Sequence, residues 1–70
     1  MTLKQRNVLR WIKEFWSTNQ YSPSFREIAQ GVGLKSTSSV SSIVTKLIRD
    51  GWLENHPHGH RTVVPTNKAV

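Results

Sequence analysis

Apolar residues recur at helical spacing in the first part of the chain. When residues 3–18 are projected at about 100° per residue, an apolar side forms opposite a polar one. Thr2 and Gln5 have the spacing of a capping box, in which the hydroxyl accepts a backbone amide and the Gln side chain reaches back. We therefore predict a first helix that begins after Thr2 and ends near Thr18. Its apolar side consists of Val8, Leu9, Trp11, Ile12, Phe15 and Trp16.

A second, shorter helix is predicted from the segment SFREIAQGVG. Pro23 pushes the residue before it away from helical geometry, so a turn separates this helix from the first. Ser24 and Glu27 repeat the capping-box spacing, and Gly33 can adopt the left-handed conformation that ends a helix. The apolar stripe consists of Phe25, Ile28, Ala29 and Val32.

The stretch KSTSSVSSIVTKL combines many hydroxyl side chains with apolar residues at helical spacing. A disordered linker would have no reason to keep that spacing, so we predict a third helix with Ser36 as its N-cap and its end at Asp50-Gly51. Ser and Thr are only middling helix formers, so packing of the apolar side must hold this helix. The apolar side consists of Val40, Ile43, Val44, Leu47 and Ile48. The opposite side consists of Ser38, Ser42, Thr45 and Arg49, flanked by Ser39, Ser41 and Lys46.

After Gly51 the hydrophobic pattern changes to that of short strands. GWLEN and RTVVP are rich in aromatic and β-branched residues, and HPHGH between them contains the Pro and Gly typical of a turn. The pattern predicts a mainly α fold, a three-helix winged helix-turn-helix with a C-terminal two-stranded β-hairpin wing. It predicts one domain over residues 1–65, followed by a frayed C-terminal tail at 66–70.

Composition narrows the class of partner. Ten Lys and Arg against four Asp and Glu give a formal charge of +6 in 70 residues, which favours a polyanion. Nucleic acid is favoured over a membrane because the basic residues are spread over several segments rather than placed opposite a long apolar stripe. The chain has no Cys and no apolar run of the roughly 20 residues that cross a bilayer. We therefore expect an untargeted cytoplasmic protein without a disulfide.

In a helix-turn-helix, the second helix of the motif lies in the major groove of double-stranded DNA. Here that helix presents Ser and Thr, whose short side chains permit close approach and whose hydroxyls donate or accept, so moderate sequence discrimination is expected. The outer side that begins at Ser38 is therefore the predicted DNA-binding face. Arg26, Lys35 and Arg61 are predicted to clamp phosphates near the ends of this helix and on the hairpin.

The segment YSPSFREIAQGVGLKSTSSVSSIVTKLIRDGWLE resembles the N-terminal DNA-binding domain of LexA-type repressors of the bacterial SOS response. The resemblance begins at KQRNVLRWI and runs to Pro65, and its most specific parts are SPSFREIA, VGLKS and DGWLE. It implies a transcriptional repressor, or the operator-binding part of one, whose recognition helix begins at Ser36. By position, the serines at 38, 39, 41 and 42 lie where the family contacts bases, and Arg26 and the hairpin lie where it contacts the DNA backbone.

Pattern and resemblance together give one set of predicted DNA contacts. The predicted contacts to bases are Ser38, Ser39, Ser41, Ser42 and Thr45. The predicted contacts to the DNA backbone are Arg26, Lys35, Ser36, Lys46, Arg49 and Arg61. A dyad-symmetric operator bound by a homodimer is expected, since such operators are bound by protein dimers.

The sequence departs from the family pattern in two respects. Family members usually have larger polar residues such as His or Glu near Ser41, Ser42 and Ile43, so a different target sequence is expected. The family's C-terminal domain, which dimerises the repressor and carries a serine-lysine protease dyad, has no counterpart in these 70 residues, so no self-cleavage is expected of them. An excised domain and a short phage-encoded protein are both consistent with this.

Other functions have less support in the sequence. The main alternative is a small winged-helix module that docks a host regulator protein rather than DNA. A protein that binds RNA or single strands is a third alternative with less support. Exposed aromatic residues would be expected of it, whereas Trp11, Trp16 and Trp52 stand beside apolar residues and are predicted to pack in the core. No paired carboxylate, activated nucleophile or phosphate-binding Gly loop is present, so neither an enzyme nor a cofactor is predicted.

His56, His58 and His60 alternate along the chain. On a strand the three imidazoles would project from one side, as metal ligands do. Pro57 and Gly59 favour a turn instead, so no metal site is predicted. Plain exposure, or contact with the DNA backbone strengthened by protonation, is the alternative for these side chains.

Overall fold

Three helices followed by a two-stranded antiparallel sheet make up the fold, which a computed structural model describes for residues 2–55 and 63–66. The helices are α1 (Leu3–Asn19), α2 (Phe25–Val32) and α3 (Thr37–Arg49), and the strands are β1 (Leu53–Asn55) and β2 (Val63–Pro65). The predicted mainly α fold, a winged helix-turn-helix with a C-terminal hairpin, is confirmed. The predicted turn with its three histidines and Arg61, and residues 67–70 of the predicted tail, lie outside the described residues.

The helix ends follow from local hydrogen bonding. Thr2 caps α1, since its hydroxyl accepts from the Gln5 amide at 3.1 Å and its own amide donates to the Gln5 side chain at 3.0 Å. Ser24 and Glu27 form the same reciprocal pair at the start of α2, at 3.1 and 2.8 Å. Gly33 ends α2 in the left-handed conformation (φ 79°), as predicted. The first helix extends to Asn19, slightly beyond the predicted end.

The core lies where the three helices and the hairpin meet. Ile12 of α1 and Ile28 of α2 are fully buried, together with Leu53 of β1. The three Trp side chains are partly buried and pack against this core, as the sequence predicts. The buried apolar residues are Val8, Leu9, Ile12, Ile28, Ala29, Val40, Val44, Leu47, Leu53 and Val63.

The first residue of β2 is held from outside the sheet. In the hairpin, Val63 stands opposite Asn55, and its backbone amide donates to the buried hydroxyl of Ser22 at 2.8 Å. Its carbonyl oxygen accepts a hydrogen bond from the Trp16 indole N–H at 2.9 Å. Both backbone groups of Val63, the first residue of β2, are thereby satisfied by α1 and the turn after it.

The other end of β2 returns to the C-terminal end of α3. The Thr66 hydroxyl donates to the Gly51 carbonyl at 2.7 Å, and the Thr66 amide donates to the Trp52 carbonyl at 3.1 Å. Thr66 is the residue at which the predicted tail begins, and it has these two backbone partners. In residues 2–55 and 63–66, none of the helices combines the length and the apolar character that a membrane span requires.

Candidate nucleic-acid interface

Burial along α3 separates an inner face from an outer one. Val40, Val44 and Leu47 expose 0%, 2% and 0% of their surface, while Ile43 and Ile48 at the margins are half-buried. The hydroxyl side chains on the other side of the helix are all exposed. Since three positions on one side are closed off by α1, α2 and β1, the Ser- and Thr-rich side is the face that a partner can reach.

The N-terminus of α3 is set by Ser36 and by the turn before it. The Ser36 hydroxyl accepts from the Ser39 amide at 3.4 Å, a long capping bond that satisfies one of the free amides of the first turn. Gly33 reverses the chain after α2, and the Leu34 amide donates to the Ala29 carbonyl at 2.8 Å. This compact turn brings Lys35 and Ser36, both exposed, to the start of α3.

The charge on α3 is entirely positive. Its sequence, TSSVSSIVTKLIR, contains no acidic residue, and Lys46 and Arg49 occupy its last turn. A helix of 13 residues is about 20 Å long. With Lys35 just before its first residue, α3 therefore carries exposed cations at both ends and small neutral hydroxyl side chains between them. Because α3 has no carboxylate, it has no negative charge of its own that would repel a phosphate.

The hydroxyl groups on the outer face are not equivalent. The Thr45 hydroxyl donates to the Ser41 carbonyl one turn earlier, at 2.8 Å. Within residues 2–55 and 63–66, the hydroxyls of Ser38, Ser41 and Ser42 have no intramolecular partner. These three serines can each donate or accept a hydrogen bond from outside, whereas the Thr45 hydroxyl has already used its hydrogen.

Arg26 is exposed and lies on α2, not α3. It is the second residue of α2, next to the Ser24 capping box, and so stands at the positive end of that helix dipole. Helix α2 packs against α3 and Ile28 of α2 is fully buried, so the backbone at Arg26 has a defined position relative to α3. A cation and free helix amides at one place are the usual features of a phosphate contact.

The predicted contacts therefore fall into groups. The residues on α3, all exposed, are Ser38, Ser39, Ser41, Ser42, Thr45, Lys46 and Arg49. Ser36 and Lys35 adjoin the start of that helix, and Arg26 is separate from it on α2. Arg61 lies outside the described residues, as do the histidines at 56, 58 and 60. Within the described part of the chain, no three His, Cys, Asp or Glu side chains come together as metal ligands.

Sequence reasoning missed the contacts of three residues: it predicted Trp16 only as part of the core, and it did not mark Ser22 or Gly31 as packing residues. Ser22 and Trp16 bind the backbone of Val63, and Gly31 of α2 lies directly against the Trp11 indole, where a Cβ would overlap the ring. Ser22 precedes a proline in a turn and has no local pattern that marks it as buried. Of these residues, only Gly31 has a sequence signal: a glycine inside a helix indicates that another group packs closely against it.

Comparison with known proteins gives one consistent result. The sequence model of the LexA DNA binding domain family matches residues 1–62 of this chain. The chain is 42% identical over 66 residues to the LexA repressor of Ruminiclostridium cellulolyticum, 44% over 61 residues to that of Streptomyces coelicolor and 43% over 63 residues to that of Mycobacterium leprae. These alignments cover 94%, 87% and 90% of this chain, but only 31%, 26% and 27% of the three relatives.

Proposed function

The chain belongs to the LexA DNA-binding domain family, and on that premise we propose that it binds a specific double-stranded DNA operator through α3, as the operator-binding part of a transcriptional repressor. The observation that carries the proposal is the exposed outer face of α3, which has small hydroxyl side chains in its middle, cations at its ends and a buried apolar face behind it. The protein acts on DNA in the bacterial cytoplasm.

In the proposed complex, α3 lies in the major groove. That groove is about 12 Å wide, and an α-helix with short outer side chains lies deeper in it than one with long side chains. Ser38, Ser39, Ser41, Ser42 and Thr45 contact the edges of bases. Serine hydroxyls can donate to N7 or O6 of guanine and accept from the amino groups of adenine or cytosine, so each contact tolerates more than one base. Specificity is expected to be moderate.

The cations supply most of the affinity. Arg26 and Lys35 contact phosphates near the start of α3, Lys46 and Arg49 contact phosphates near its end, and Arg61 contacts a phosphate from the hairpin. Each of the four described cations is exposed, so it can reach a phosphate without prior rearrangement of the core. The Ser36 hydroxyl and the free amides at the start of α3 add neutral donors to the backbone.

A dyad-symmetric operator is proposed, with one domain on each half-site. A helix-turn-helix protein that contacts a single half-site has only one recognition helix, so a second copy a helical turn away doubles the number of contacts. This chain spans less than a third of the length of the relatives named above, and the repressor role of the whole protein belongs to the proposal. The isolated domain is expected to bind weakly.

Selection of duplexes from a random pool by the 70-residue chain tests the proposal. The enriched duplex should then bind more tightly than a scrambled duplex of the same composition in a fluorescence anisotropy titration. The logarithm of the binding constant should fall with the logarithm of salt concentration with a slope of about −4.5 per domain, if the five proposed cations each neutralise a phosphate. Equal affinity for both duplexes would contradict specific binding. A complex insensitive to salt would contradict DNA binding through these cations.

A further inference from the structure

Thr45 differs from the other hydroxyl residues of α3 in what it can offer a base. Its hydroxyl donates to the carbonyl oxygen of Ser41 at 2.8 Å, and its side chain is exposed on the outer face. A hydroxyl has a single hydrogen to donate. That hydrogen lies against the backbone of its own helix, so Thr45 has no donor left for a base edge.

The Thr45 methyl group is not committed in this way. A β-branched side chain is stiff about χ1 in a helix, and the hydrogen bond to Ser41 holds the Thr45 hydroxyl on the backbone side. The methyl group is on the other branch of the same carbon. Thr45 is exposed, and on an outer face made otherwise of serines and cations it is the residue whose side chain carries a methyl group.

From this geometry we infer that Thr45 determines specificity by contacting the C5 methyl group of a thymine. The inference rests on the proposed function, in which α3 lies in the major groove. The thymine methyl is the only apolar group that a base pair presents there, so an apolar contact distinguishes thymine from cytosine and from both purines. Thr45 thereby specifies one base by an apolar contact, whereas the serines specify bases by hydrogen bonds.

Two substitutions separate the methyl group from the hydroxyl. Thr45→Val keeps the β-branch and the methyl group and replaces the hydroxyl by a second methyl group. Thr45→Ser keeps the hydroxyl with its bond to Ser41 and removes only the methyl group. Thr37→Ser is the matched control, since Thr37 is also an exposed threonine of α3 but is outside the predicted contacts. Both positions are exposed, so the thermal transition of each of the three variants should match that of the parent chain.

The test uses the enriched duplex with each thymine replaced in turn by uracil, which lacks only the C5 methyl group. At one thymine per half-site, the replacement should weaken binding of the parent chain about fourfold, the effect of removing one buried methyl group. Thr45→Val and Thr37→Ser should show the same loss at the same thymine. Thr45→Ser should bind the thymine duplex as weakly as the parent binds the uracil duplex, with no further loss on replacement.

Other outcomes overturn the inference. If Thr45→Ser keeps the parental sensitivity to uracil at every thymine, the methyl group of Thr45 contacts no thymine. If Thr45→Val binds weakly while Thr45→Ser binds normally, the hydroxyl is the recognised group. Both results would leave the proposed function intact, since the enriched duplex would still be bound specifically. Failure to enrich any duplex would contradict the proposed function itself, and this inference would fall with it.

Discussion

The indole N–H of Trp16 donates to the carbonyl oxygen of Val63 at 2.9 Å, across 47 residues of sequence. The backbone amide of Val63 donates to the Ser22 hydroxyl at 2.8 Å. Both polar groups of the Val63 backbone are therefore bound by α1 and the turn that follows it, while its side chain is in the core with 1% exposure. The position of the hairpin relative to the helices is set at this residue.

Loss of the Ser22 hydroxyl should destabilise the fold. Ser22→Ala leaves the buried amide of Val63 without its partner, which is expected to cost about 1–3 kcal/mol in the free energy of unfolding. Trp16→Phe removes the bond to the carbonyl and is expected to cost at least about 1 kcal/mol. Urea unfolding followed by circular dichroism measures both. The double variant should cost less than the sum of the two, because each change releases the same strand.

The control for this pair is Ser17→Ala, because Ser17 is an exposed serine on α1 beside Trp16. Its urea midpoint should equal that of the parent within error. Strict additivity of Ser22→Ala and Trp16→Phe would indicate that the two hydrogen bonds hold the strand independently, contrary to the arrangement around Val63.

Gly31 and Trp11 should behave as a coupled pair. Alanine normally stabilises a helix interior relative to glycine by about 1 kcal/mol. At Gly31, however, the added Cβ would overlap the Trp11 indole, and overpacking of this kind costs about 1–3 kcal/mol. Gly31→Ala should therefore destabilise the parent chain. In a Trp11→Ala background the same substitution should be neutral or stabilising, as measured by thermal unfolding.

Gly33 is the matched control for Gly31. A Cβ at Gly33 would meet nothing within 4 Å, but the residue has a left-handed backbone with φ 79°. Gly33→Ala should cost about 1–2 kcal/mol through the conformation alone, and the same amount with or without the Trp11 side chain. Rescue of Gly33→Ala by Trp11→Ala would mean that the backbone conformation is not the source of the cost.

Arg49 should matter for DNA binding and Arg10 should not. Arg49→Ala removes a proposed phosphate contact, and a charge-assisted hydrogen bond is worth about 1.5–3 kcal/mol, so affinity for the enriched duplex should fall at least roughly tenfold. The salt slope should decrease by about one unit. Arg10→Ala removes the same charge from an exposed site on α1 that is paired with Glu14 at 3.5 Å. Equal losses for the two variants would indicate a nonspecific effect of net charge.

A negative charge on the outer face of α3 should abolish specific binding. Ser42 is exposed in the middle of that face, so Ser42→Glu would place a carboxylate against base edges and phosphates without disturbing the core. Ser42→Gln has nearly the same volume and no charge, and serves as the control. Anisotropy titrations should show no specific binding by the Glu variant and a smaller loss for Gln. Both thermal transitions should match the parent. Parental affinity of the Glu variant would show that this face is not in the groove.

Local chemistry made most of the helices predictable. The capping boxes at Thr2 and Ser24 involve residues only three positions apart, and the left-handed Gly33 needs no partner elsewhere, so each can be predicted from a short window. The inner face of α3 followed from the spacing of Val40 and its apolar neighbours. The extension of α1 to Asn19 reflects a non-glycine residue, Gln20, in the left-handed conformation, which sequence patterns seldom indicate.

Long-range contacts were not predictable in this way. The bonds from Ser22 and Trp16 to Val63 join segments 41 and 47 residues apart, and no spacing rule relates them. The proposed site was predictable as a helix face, because exposure on one side follows from burial on the other. The hydrogen bond from the Thr45 hydroxyl to its own helix was not predictable. Serine and threonine side chains can both form such a bond, and the sequence pattern does not indicate which residue forms it.

The attachment of Val63 bears on where a functional fragment can be truncated. Similarity to the family model stops at residue 62, immediately before this valine. A polypeptide cut at that boundary would lose a fully enclosed aliphatic side chain, the second strand of the sheet and the partners of Ser22 and Trp16. It would also lose Thr66, which joins the strand to Gly51, two residues after the end of α3. The folded unit of this protein therefore extends at least to Thr66, four residues beyond the match to the family model.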